Sequence, residues 1–352
     1  MSLTLTVDGD RWRGHLRRVA DQTPGLVPVA KGNGYGFGLH RLARKSQWLG
    51  VGAIAVGTYG ELAEVAPRFD GDLLVLTPWR PFGAALEVDD RIASRVVHTV
   101  SRVEDAAALL DRQPGARILL ELVTSMKRHG LSRRDLESAA EVLAGRADRP
   151  RLEGIAIHLP LGHGSHLSEV DRLVTTVVAA DLPTRTLFVS HLTPEELEQL
   201  RSSYQDFEIR PRIGTALWLG DRGALHVTAS VLDVHEVERG DVFGYRGRSA
   251  PKSGHLVIVS GGTAHGIGLE APTGDTSIKA RAATLARGGL DAVGFVRSPY
   301  SIDGKQRLFA EPPHMQASML FLPAGAAVPA VGDGVDARVR YTATTFDRVE
   351  IV

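Results

Sequence analysis

The stretch "VPVAKGNGYGFG", residues 27–38, decides the fold, because an apolar run ends there at a lysine that four glycines and a tyrosine closely follow. The run that begins at residue 25 has the length of a short buried strand, and the segment after residue 38 has helical spacing. Lys31 therefore lies where a strand gives way to a loop. Loops at strand ends hold the chemistry of many α/β enzymes, although a lysine at such a place is more often a solvated charge.

Similar apolar runs recur along the chain up to residue 222, and amphipathic helical stretches separate most of them. Strand units that alternate with helices in this way predict a (β/α)8 TIM-type barrel over roughly residues 10 to 222. The candidate strands are "GLVPVA", "GAIAVG", "DLLVLT", "ASRVVHTV", "ARILLELV", "LEGIAIHL", "RTLFVS" and "FEIRPRIG".

The pattern changes after the last of these strands. From "HVTASVLDVHEVERGDVFGYRG" onward, alternating β-branched residues and glycine turns replace the helical runs, which predicts a mostly antiparallel β domain. A chain of 352 residues also exceeds the usual size of one domain. We therefore predict an α/β protein with a barrel domain at 1–222 and a C-terminal β domain at 223–352.

Composition narrows the class of partner. Acidic and basic residues balance at 41 each, which disfavours a nucleic-acid partner and favours a small molecule. Cysteine is absent, which excludes disulfides, thiolate metal sites and a cysteine nucleophile, and no metal site is predicted. The first residues lack a basic start followed by an apolar stretch, and no run of about 18 apolar residues occurs. We therefore expect a cytosolic protein that is neither secreted nor embedded in a membrane.

Five short motifs carry a resemblance to a known family. The sequence resembles the alanine racemase family, the fold-type III enzymes that use pyridoxal 5'-phosphate (PLP). "VAKGNGYGFG" is similar to that family's cofactor lysine motif, commonly written VKANAYGHG, and the other motifs are "MKRHG", "EGIAIHL", "RPRIGTALWLG" and "GDVFGYRG". Each motif is short, but their occurrence in the family's order makes a chance match improbable.

The resemblance implies that PLP is the cofactor and that Lys31 binds its aldehyde covalently. Tyr35 can offer its hydroxyl to the phosphate, while the glycines around it let the backbone turn sharply. Thr193 stands at a helix start before a proline and two glutamates, so it is either a phosphate ligand or a simple cap. The remaining phosphate contacts that we predict are Ser190, Gly214 and Thr215.

Racemisation moves the α-proton of an amino acid from one face to the other, so it calls for two bases. Lys31 would serve one face, and by resemblance Tyr245 of a partner subunit would serve the other, which implies a homodimer with shared sites. A tyrosine with a pKa near ~10 is a poor base at neutral pH without a cationic or hydrogen-bonding neighbour. His158 is the family-matched candidate for that neighbour; the alternative is a histidine that is merely hydrogen-bonded at a buried strand end.

Two arginines complete the predicted catalytic set. By resemblance Arg212 faces the pyridine nitrogen and keeps it unprotonated, unless it pairs with Glu208 or Asp206 at the surface. Glu121 stands where the family often has a carbamylated lysine, and its carboxylate is expected to orient Arg128 toward the cofactor and the substrate carboxylate. The alternative for Glu121 is an ordinary solvated charge.

Several residues depart from the family pattern near the expected substrate. Thr263 replaces an entrance tyrosine, and His265 replaces an aspartate in "SGGTAHG". Met315 is kept in "PPHMQAS", but Gln316 stands where aspartate is expected, and Phe346 stands where a phosphate-binding tyrosine often lies. Thr263, Met315 and Gln316 join Arg128 as predicted substrate-binding residues. These changes concern the identity of the amino acid more than the use of PLP.

The favoured function is a PLP-dependent racemase of alanine or another small amino acid. The alternatives are a fold-type III lyase, either a decarboxylase or a D-amino-acid dehydratase or aldolase, and a PLP-binding protein without turnover. The lyases generally use a cysteine in the β domain, and none exists here, although His314 keeps a metal in consideration. The small PLP-homeostasis proteins consist of the barrel alone, and the 130 residues after position 222 disfavour that reading.

Overall fold

The computed structural model describes residues 2–146, 150–162, 165–269 and 296–352. The chain forms two compact units, Arg13–Gly220 and a unit built from both chain ends, Met1–Trp12 with Asp221–Val352. The predicted division assigned all of residues 1–222 to the barrel. The residues up to Trp12 instead belong to the β unit, because the first strand, β1 (Leu3–Val7), pairs with two strands of its sheet.

The first unit is a closed barrel of eight parallel strands in sequence order, which confirms the predicted barrel and each of its strands. Strand pairing closes the barrel where the first strand meets the last, with Val27 opposite Arg212. The barrel strands are β2 (Val27–Ala30), β3 (Ala53–Val56), β4 (Asp72–Val75), β5 (Val96–Val100), β6 (Arg117–Leu122), β7 (Arg151–His158), β8 (Thr186–Ser190) and β9 (Glu208–Ile213).

Helices connect the strands, and several begin at side-chain caps. Ser132 and Thr193 each form a capping box, in which the hydroxyl accepts from a backbone N–H three residues later. The helices in the described residues are α1 (Gly9–Asp21), α2 (Leu39–Leu49), α3 (Leu62–Val65), α4 (Asp90–Ala93), α5 (Val103–Arg112), α6 (Arg133–Ala144), α7 (Leu167–Ala179), α8 (Pro194–Ser203) and α9 (Thr215–Leu219). None of them is long and apolar enough to cross a lipid bilayer.

Strand alternation sets which side chains face the barrel interior. The barrel strands β2 to β8 each contribute residues at alternating positions to one buried apolar cluster. Its members are Val27, Val29, Ala53, Ala55, Leu74, Val97, Leu119, Ala156 and Phe188. Residues two positions further along a strand lie on the same face. This parity directs a set of polar or small residues into the barrel mouth: Lys31, Gly57, Glu121, His158 and Ser190. Arg212 joins them, because Arg210 on the same face packs over Phe188.

The second unit is the predicted β domain, and its sheet is antiparallel except where β1 pairs with the last strand. Its strands in the described residues are β10 (Leu225–Val237), β11 (Val242–Phe243), β12 (Arg248–Ser249), β13 (Gly254–Ser260), β14 (Arg297–Ile302), β15 (Lys305–Phe309), β16 (Ala317–Pro323), β17 (Gly334–Ala337) and β18 (Arg348–Ile351). The sheet order is β13-β16-β15-β14-β17-β10-β1-β18. The pair β11–β12 forms a separate hairpin with Tyr245 in its turn.

Candidate active site

Lys31 directly follows β2, and its side chain is solvent-accessible. Partial burial lowers the pKa of its amine, as do the charges of Arg128 and Arg212, while Glu61 opposes the shift. A lowered pKa increases the fraction of neutral amine, which is the form that attacks an aldehyde or accepts a proton. The structure therefore places the predicted cofactor lysine at the barrel mouth in a reactive setting.

The carboxylate of Glu61 ties the loop after β2 to the loop after β3. Its Oε1 accepts the Gly32 N–H at 2.8 Å, and its Oε2 accepts the Gly57 N–H at 2.6 Å. Glu61 also completes a capping box with Thr58. Glu61 was not predicted as a site residue, although the spacing of Thr58 and Glu61 is a capping-box signature that the sequence displays. This carboxylate fixes the backbone next to Lys31.

Gly57 leaves the space that Lys31 occupies. An ideal Cβ at Gly57 would lie 2.9 Å from the Lys31 Cβ and 3.0 Å from Glu61 Oε2. We expect Gly57→Ala to displace Lys31 and to weaken PLP binding or stability by about 1–3 kcal/mol, the usual cost of overpacking. Titration with PLP and urea unfolding measure the two effects.

Gly60→Ala is the matched control for this substitution. Its Cβ would have 3.9 Å to its nearest neighbour, Thr58 Oγ1, so PLP binding and stability should stay close to those of the unmodified protein. Equal behaviour of the Gly57 and Gly60 variants would contradict the packing role of Gly57.

Tyr35, Gly214 and Thr215, three of the residues predicted as phosphate contacts, lie close together. Tyr35 is 5% exposed and adopts a left-handed backbone conformation with φ 55°. Burial, with a smaller effect of Glu61, raises the pKa of its hydroxyl to about 12, so the phenol stays protonated and can donate a hydrogen bond. An ideal Cβ at Gly214 would lie 2.0 Å from that hydroxyl oxygen, so only glycine fits beside it. Thr215 begins α9 directly after Gly214.

His158 and Ser190 form a second polar pair at the mouth. The His158 Nδ1 atom lies 2.7 Å from the Ser190 Oγ atom. Burial and then the charges of Arg212 and Arg128 lower the pKa of His158 to about 3. The ring is therefore neutral at physiological pH. It can offer a hydrogen bond to a neighbouring group, but it cannot be the cationic neighbour that would stabilise a tyrosine phenolate.

His191 was not predicted, and it lies beside this pair. Its ring centroid is 5.1 Å from that of His158, and its Nδ1 atom lies 2.6 Å from the Leu159 carbonyl oxygen. The backbone of His191 is left-handed, with φ 63°, which is uncommon for a residue other than glycine. Strained backbone of this kind concentrates at functional sites. In the sequence, only its position directly after the β8 strand end marked it.

The position of Thr193 favours the cap over the phosphate ligand. Its hydroxyl accepts the Glu196 N–H at 3.2 Å, and the Glu196 Oε2 atom accepts the Thr193 N–H at 2.9 Å. The other oxygen of Glu196 accepts the His166 N–H at 2.8 Å. A carboxylate thus occupies the start of α8, where a phosphate would be repelled.

Arg212 is buried, 6% exposed, and donates from Nη2 to the Ile157 carbonyl at 3.2 Å. The predicted surface alternative is wrong, because Glu208 and Asp206 lie against Arg210 and Arg185 instead. Burial lowers the pKa of Arg212 to about 10 and the charge of Glu121 opposes that shift, so the guanidinium stays protonated at physiological pH.

Glu121 is 4% exposed and is therefore not a solvated charge. Burial raises the pKa of its carboxyl, and the charges of Arg212, then Arg128 and Arg80, oppose the shift. Arg128 lies exposed on the loop after β6. Its charge also lowers the pKa of Lys31, so these groups share one electrostatic environment at the mouth. The charge of Arg212 therefore affects the Glu121 carboxyl more than the charge of Arg128 does.

The predicted residues of the β unit also cluster. Thr263 donates its N–H to the His314 carbonyl at 2.8 Å, and the Gln316 carbonyl accepts the Gly261 N–H at 2.9 Å. Met315 is exposed between them, and the Tyr245 ring packs against His314. Two of the altered positions have their own partners: His265 lies 3.1 Å from Asp347, and the Phe346 ring lies 6.1 Å from that of Tyr341.

The barrel mouth fits an anionic aldehyde cofactor. It combines an amine of lowered pKa with two guanidinium groups, and both Arg212 Nε and Glu121 Oε2 are buried without a partner among the described residues. Buried polar atoms without partners are costly, and a bound polar group would satisfy them. A TIM-type barrel with such a lysine at its mouth, in one chain with an antiparallel β unit, defines the fold-type III class of PLP-dependent enzymes.

Comparison with known proteins defines the family. Residues 7–209 match the model described as alanine racemase, N-terminal domain, and the chain belongs to the alanine racemase family of PLP-dependent isomerases. The alanine racemase of Nitratidesulfovibrio vulgaris is 29% identical over 274 residues, 71% of each chain. Alanine racemase from Bartonella henselae with covalently bound pyridoxal phosphate superposes with a TM-score of 0.72 over 100% of both chains at 17% identity. Histidine racemase from Leuconostoc mesenteroides superposes with a TM-score of 0.67 at 18% identity, and the match covers 99% of this chain and 97% of that protein.

Proposed function

We propose that the protein is a PLP-dependent racemase of a small amino acid, with alanine as the first candidate. The observation that carries the proposal is Lys31, an amine of lowered pKa at the end of β2, in the electrostatic field of Arg128 and Arg212. The relative in Nitratidesulfovibrio vulgaris is an alanine racemase, whereas the structural neighbour in Leuconostoc mesenteroides is a histidine racemase, so the substrate needs a direct test.

The residues that would hold PLP come from several barrel strand ends. Lys31 would bind its aldehyde, Arg212 would face its pyridine nitrogen, and Tyr35 would donate to its phosphate together with Ser190, Gly214 and Thr215. When bound, PLP supplies an electron sink that acidifies the α-C–H bond of the amino acid. A protonated guanidinium beside the pyridine nitrogen limits that sink, which favours return of the proton over side reactions.

Proton transfer would fall to two side chains of this protein. The Nζ atom of Lys31 accepts or returns the α-proton on one face, and the hydroxyl of Tyr245 from a partner subunit does so on the other. The exposure of the Tyr245 side chain, 87%, supports a role outside its own unit. His158 is neutral and would contribute a hydrogen bond, and Arg128 would bind the substrate carboxylate.

The test of this function is α-proton exchange. The purified protein with PLP is incubated in deuterium oxide with each L-amino acid, and both α-deuterium and the D-enantiomer are measured. A racemase incorporates deuterium and forms the D-enantiomer of one or a few small amino acids. Deuterium uptake accompanied by loss of the carboxyl or side-chain group would establish a lyase, and no uptake with any amino acid would contradict the proposal.

Substitution of Glu121 tests the charge balance of the mouth. Glu121→Gln keeps the side-chain shape but removes the carboxylate charge that opposes the lowering of the Arg212 pKa. Loss of that charge leaves the Arg212 guanidinium buried and uncompensated, and losses of this kind cost about 2–5 kcal/mol, so we expect racemisation to fall by about 10²-fold. PLP should still bind Lys31, because the lysine and the phosphate contacts are unchanged. Racemisation rates and borohydride labelling measure the two effects.

Glu208→Gln serves as the control for Glu121→Gln, because Glu208 is an exposed carboxylate at the start of β9. That variant should racemise at the normal rate. Added bicarbonate should change neither protein, since Glu121 needs no carbamylation to carry its charge. Normal turnover by Glu121→Gln would show that the carboxylate is dispensable and that Arg212 and Arg128 act without it.

A further inference from the structure

We propose that Glu311 and His314 are positioning residues that hold the phenol of Tyr245 in place for proton transfer. The inference rests on the proposed function for the role of Tyr245 as a base, but its structural part does not. All three residues belong to the β unit, and Glu311 and His314 lie in the connection between β15 and β16. From the sequence, Glu311 was not singled out, and His314 was considered only as a metal ligand.

The Glu311 carboxylate is the fixed point of this arrangement. It is 2% exposed, and each of its oxygens has a partner. Oε1 lies 2.6 Å from the His314 Nε2 atom, and Oε2 accepts the Tyr245 N–H at 3.1 Å. A buried carboxylate is costly unless it is hydrogen-bonded, so these contacts are expected to persist. The carboxylate thereby links the hairpin turn that carries Tyr245 to the ring of His314.

The hairpin is shaped to admit that carboxylate. Gly244 has φ 71°, and an ideal Cβ there would lie 2.3 Å from Glu311 Oε2, so another residue would displace the carboxylate. Arg248, on the other strand of the hairpin, donates from Nη1 to the Ala310 carbonyl at 3.0 Å. Two separate contacts thus hold the hairpin against the connection that carries His314.

His314 then supports the phenol directly. Its ring centroid lies 4.6 Å from that of Tyr245, with 54° between the planes. Because the Nε2 atom is bound to Glu311, the imidazole cannot rotate away without breaking that hydrogen bond. Tyr245 is otherwise 87% exposed, so the ring contact restricts a side chain that solvent would leave free. Effective proton transfer requires such restriction, since small misplacements of a reacting group reduce rates steeply.

Fluorine NMR tests the structural part without PLP or substrate. Protein that contains 3-fluorotyrosine gives one signal per tyrosine environment, and Tyr245→Phe identifies the signal of residue 245. We expect His314→Ala to move that signal toward the position of free 3-fluorotyrosine and to leave the other tyrosine signals in place. Glu311→Gln, which keeps the shape of the side chain, should move it less. A signal for residue 245 that stays unchanged in His314→Ala would overturn the proposal.

Isotope exchange tests the functional part. If His314 acts through Tyr245, His314→Ala should slow racemisation by about 10- to 100-fold. Lys31 alone can remove and return the α-proton of one enantiomer, with retention of configuration. The rate of that exchange should stay within about twofold of the rate in the unmodified protein. Equal loss of exchange from both enantiomers and of racemisation would overturn the proposal, because support of one base cannot disable the other.

The matched control is His235→Ala, which removes an exposed histidine of the same unit that lies 3.4 Å from Asp233. It should change neither the fluorine signal of residue 245 nor racemisation. Failure of the proposed function is distinguishable from failure of this inference: an unmodified protein that exchanges no amino acid α-proton refutes the former, while the fluorine signal still decides whether His314 and Glu311 position Tyr245.

Discussion

Lys31→Ala is expected to abolish covalent attachment of PLP and to reduce racemisation by about 10⁴-fold or more. The substitution removes both the amine that binds the aldehyde and the base for one face, and loss of a general base alone costs about 10²–10⁴-fold. The amine of Lys31 combines a lowered pKa with a position at a barrel strand end, which favours it as the lysine that binds the aldehyde. Borohydride treatment of the unmodified protein should fix the cofactor on the peptide that contains Lys31.

Lys45→Ala is a stringent control, because burial also lowers the pKa of Lys45, which lies on α2 over the Trp48 ring. A lowered pKa by itself would make both lysines candidates, whereas only Lys31 stands at a barrel strand end. The Lys45 variant should therefore keep the borohydride label and full turnover. Recovery of the label on any lysine other than Lys31 would refute the assignment.

The barrel was predictable because its signals are local. Each strand is a short apolar run, and each is separated from the next by a helix that buries one face, so neither depends on knowledge of distant partners. Side chains two residues apart on a strand lie on the same face, so some site residues were predictable in the same way. Glu121 lies two residues beyond the core residue Leu119, and His158 lies two residues beyond Ala156. Parity alone therefore places these side chains inside the barrel mouth.

Features that depend on distant pairing were not predictable. β1 lies at the start of the chain, yet Leu3 pairs with Ala229 and Thr4 with Arg348, so the first strand belongs to the β unit. The sequence of β1 is typical of a strand, but it does not determine which other strands β1 pairs with. The hydrogen bond between Glu311 and His314 is local, because its two residues are three positions apart, but its importance depends on the distant Tyr245.

The protonation states of the site residues also could not be predicted from the sequence. His158 was predicted as the neighbour of a phenolate, but its burial among cations keeps it neutral, which only the assembled barrel mouth reveals. Glu121 was weighed against a solvated charge, and the fold decides for burial beside Arg212. Burial and neighbouring charge determine pKa, and both come from residues that are distant along the chain.

Mixing two inactive variants is expected to restore activity if each site uses Lys31 of one subunit and Tyr245 of the other. Tyr245→Phe removes the hydroxyl that would serve one face, so it should lose about 10²–10⁴-fold in racemisation while it keeps the Lys31 label. Random exchange with Lys31→Ala subunits makes about half of the dimers mixed, and each mixed dimer has one site with both groups. Activity should therefore return to about one quarter of that of the unmodified protein.

The reciprocal mixture separates a shared site from one built within a single chain. Unmodified subunits are exchanged with subunits that carry both Lys31→Ala and Tyr245→Phe, and activity is followed as the mixed dimers form. In the shared-site arrangement neither site of a mixed dimer is complete, so exchange should halve the activity of the mixture. If Tyr245 served the Lys31 of its own chain, exchange would change nothing, and the first mixture would stay inactive. Because the two mixtures respond in opposite directions, incomplete subunit exchange cannot imitate the shared-site result.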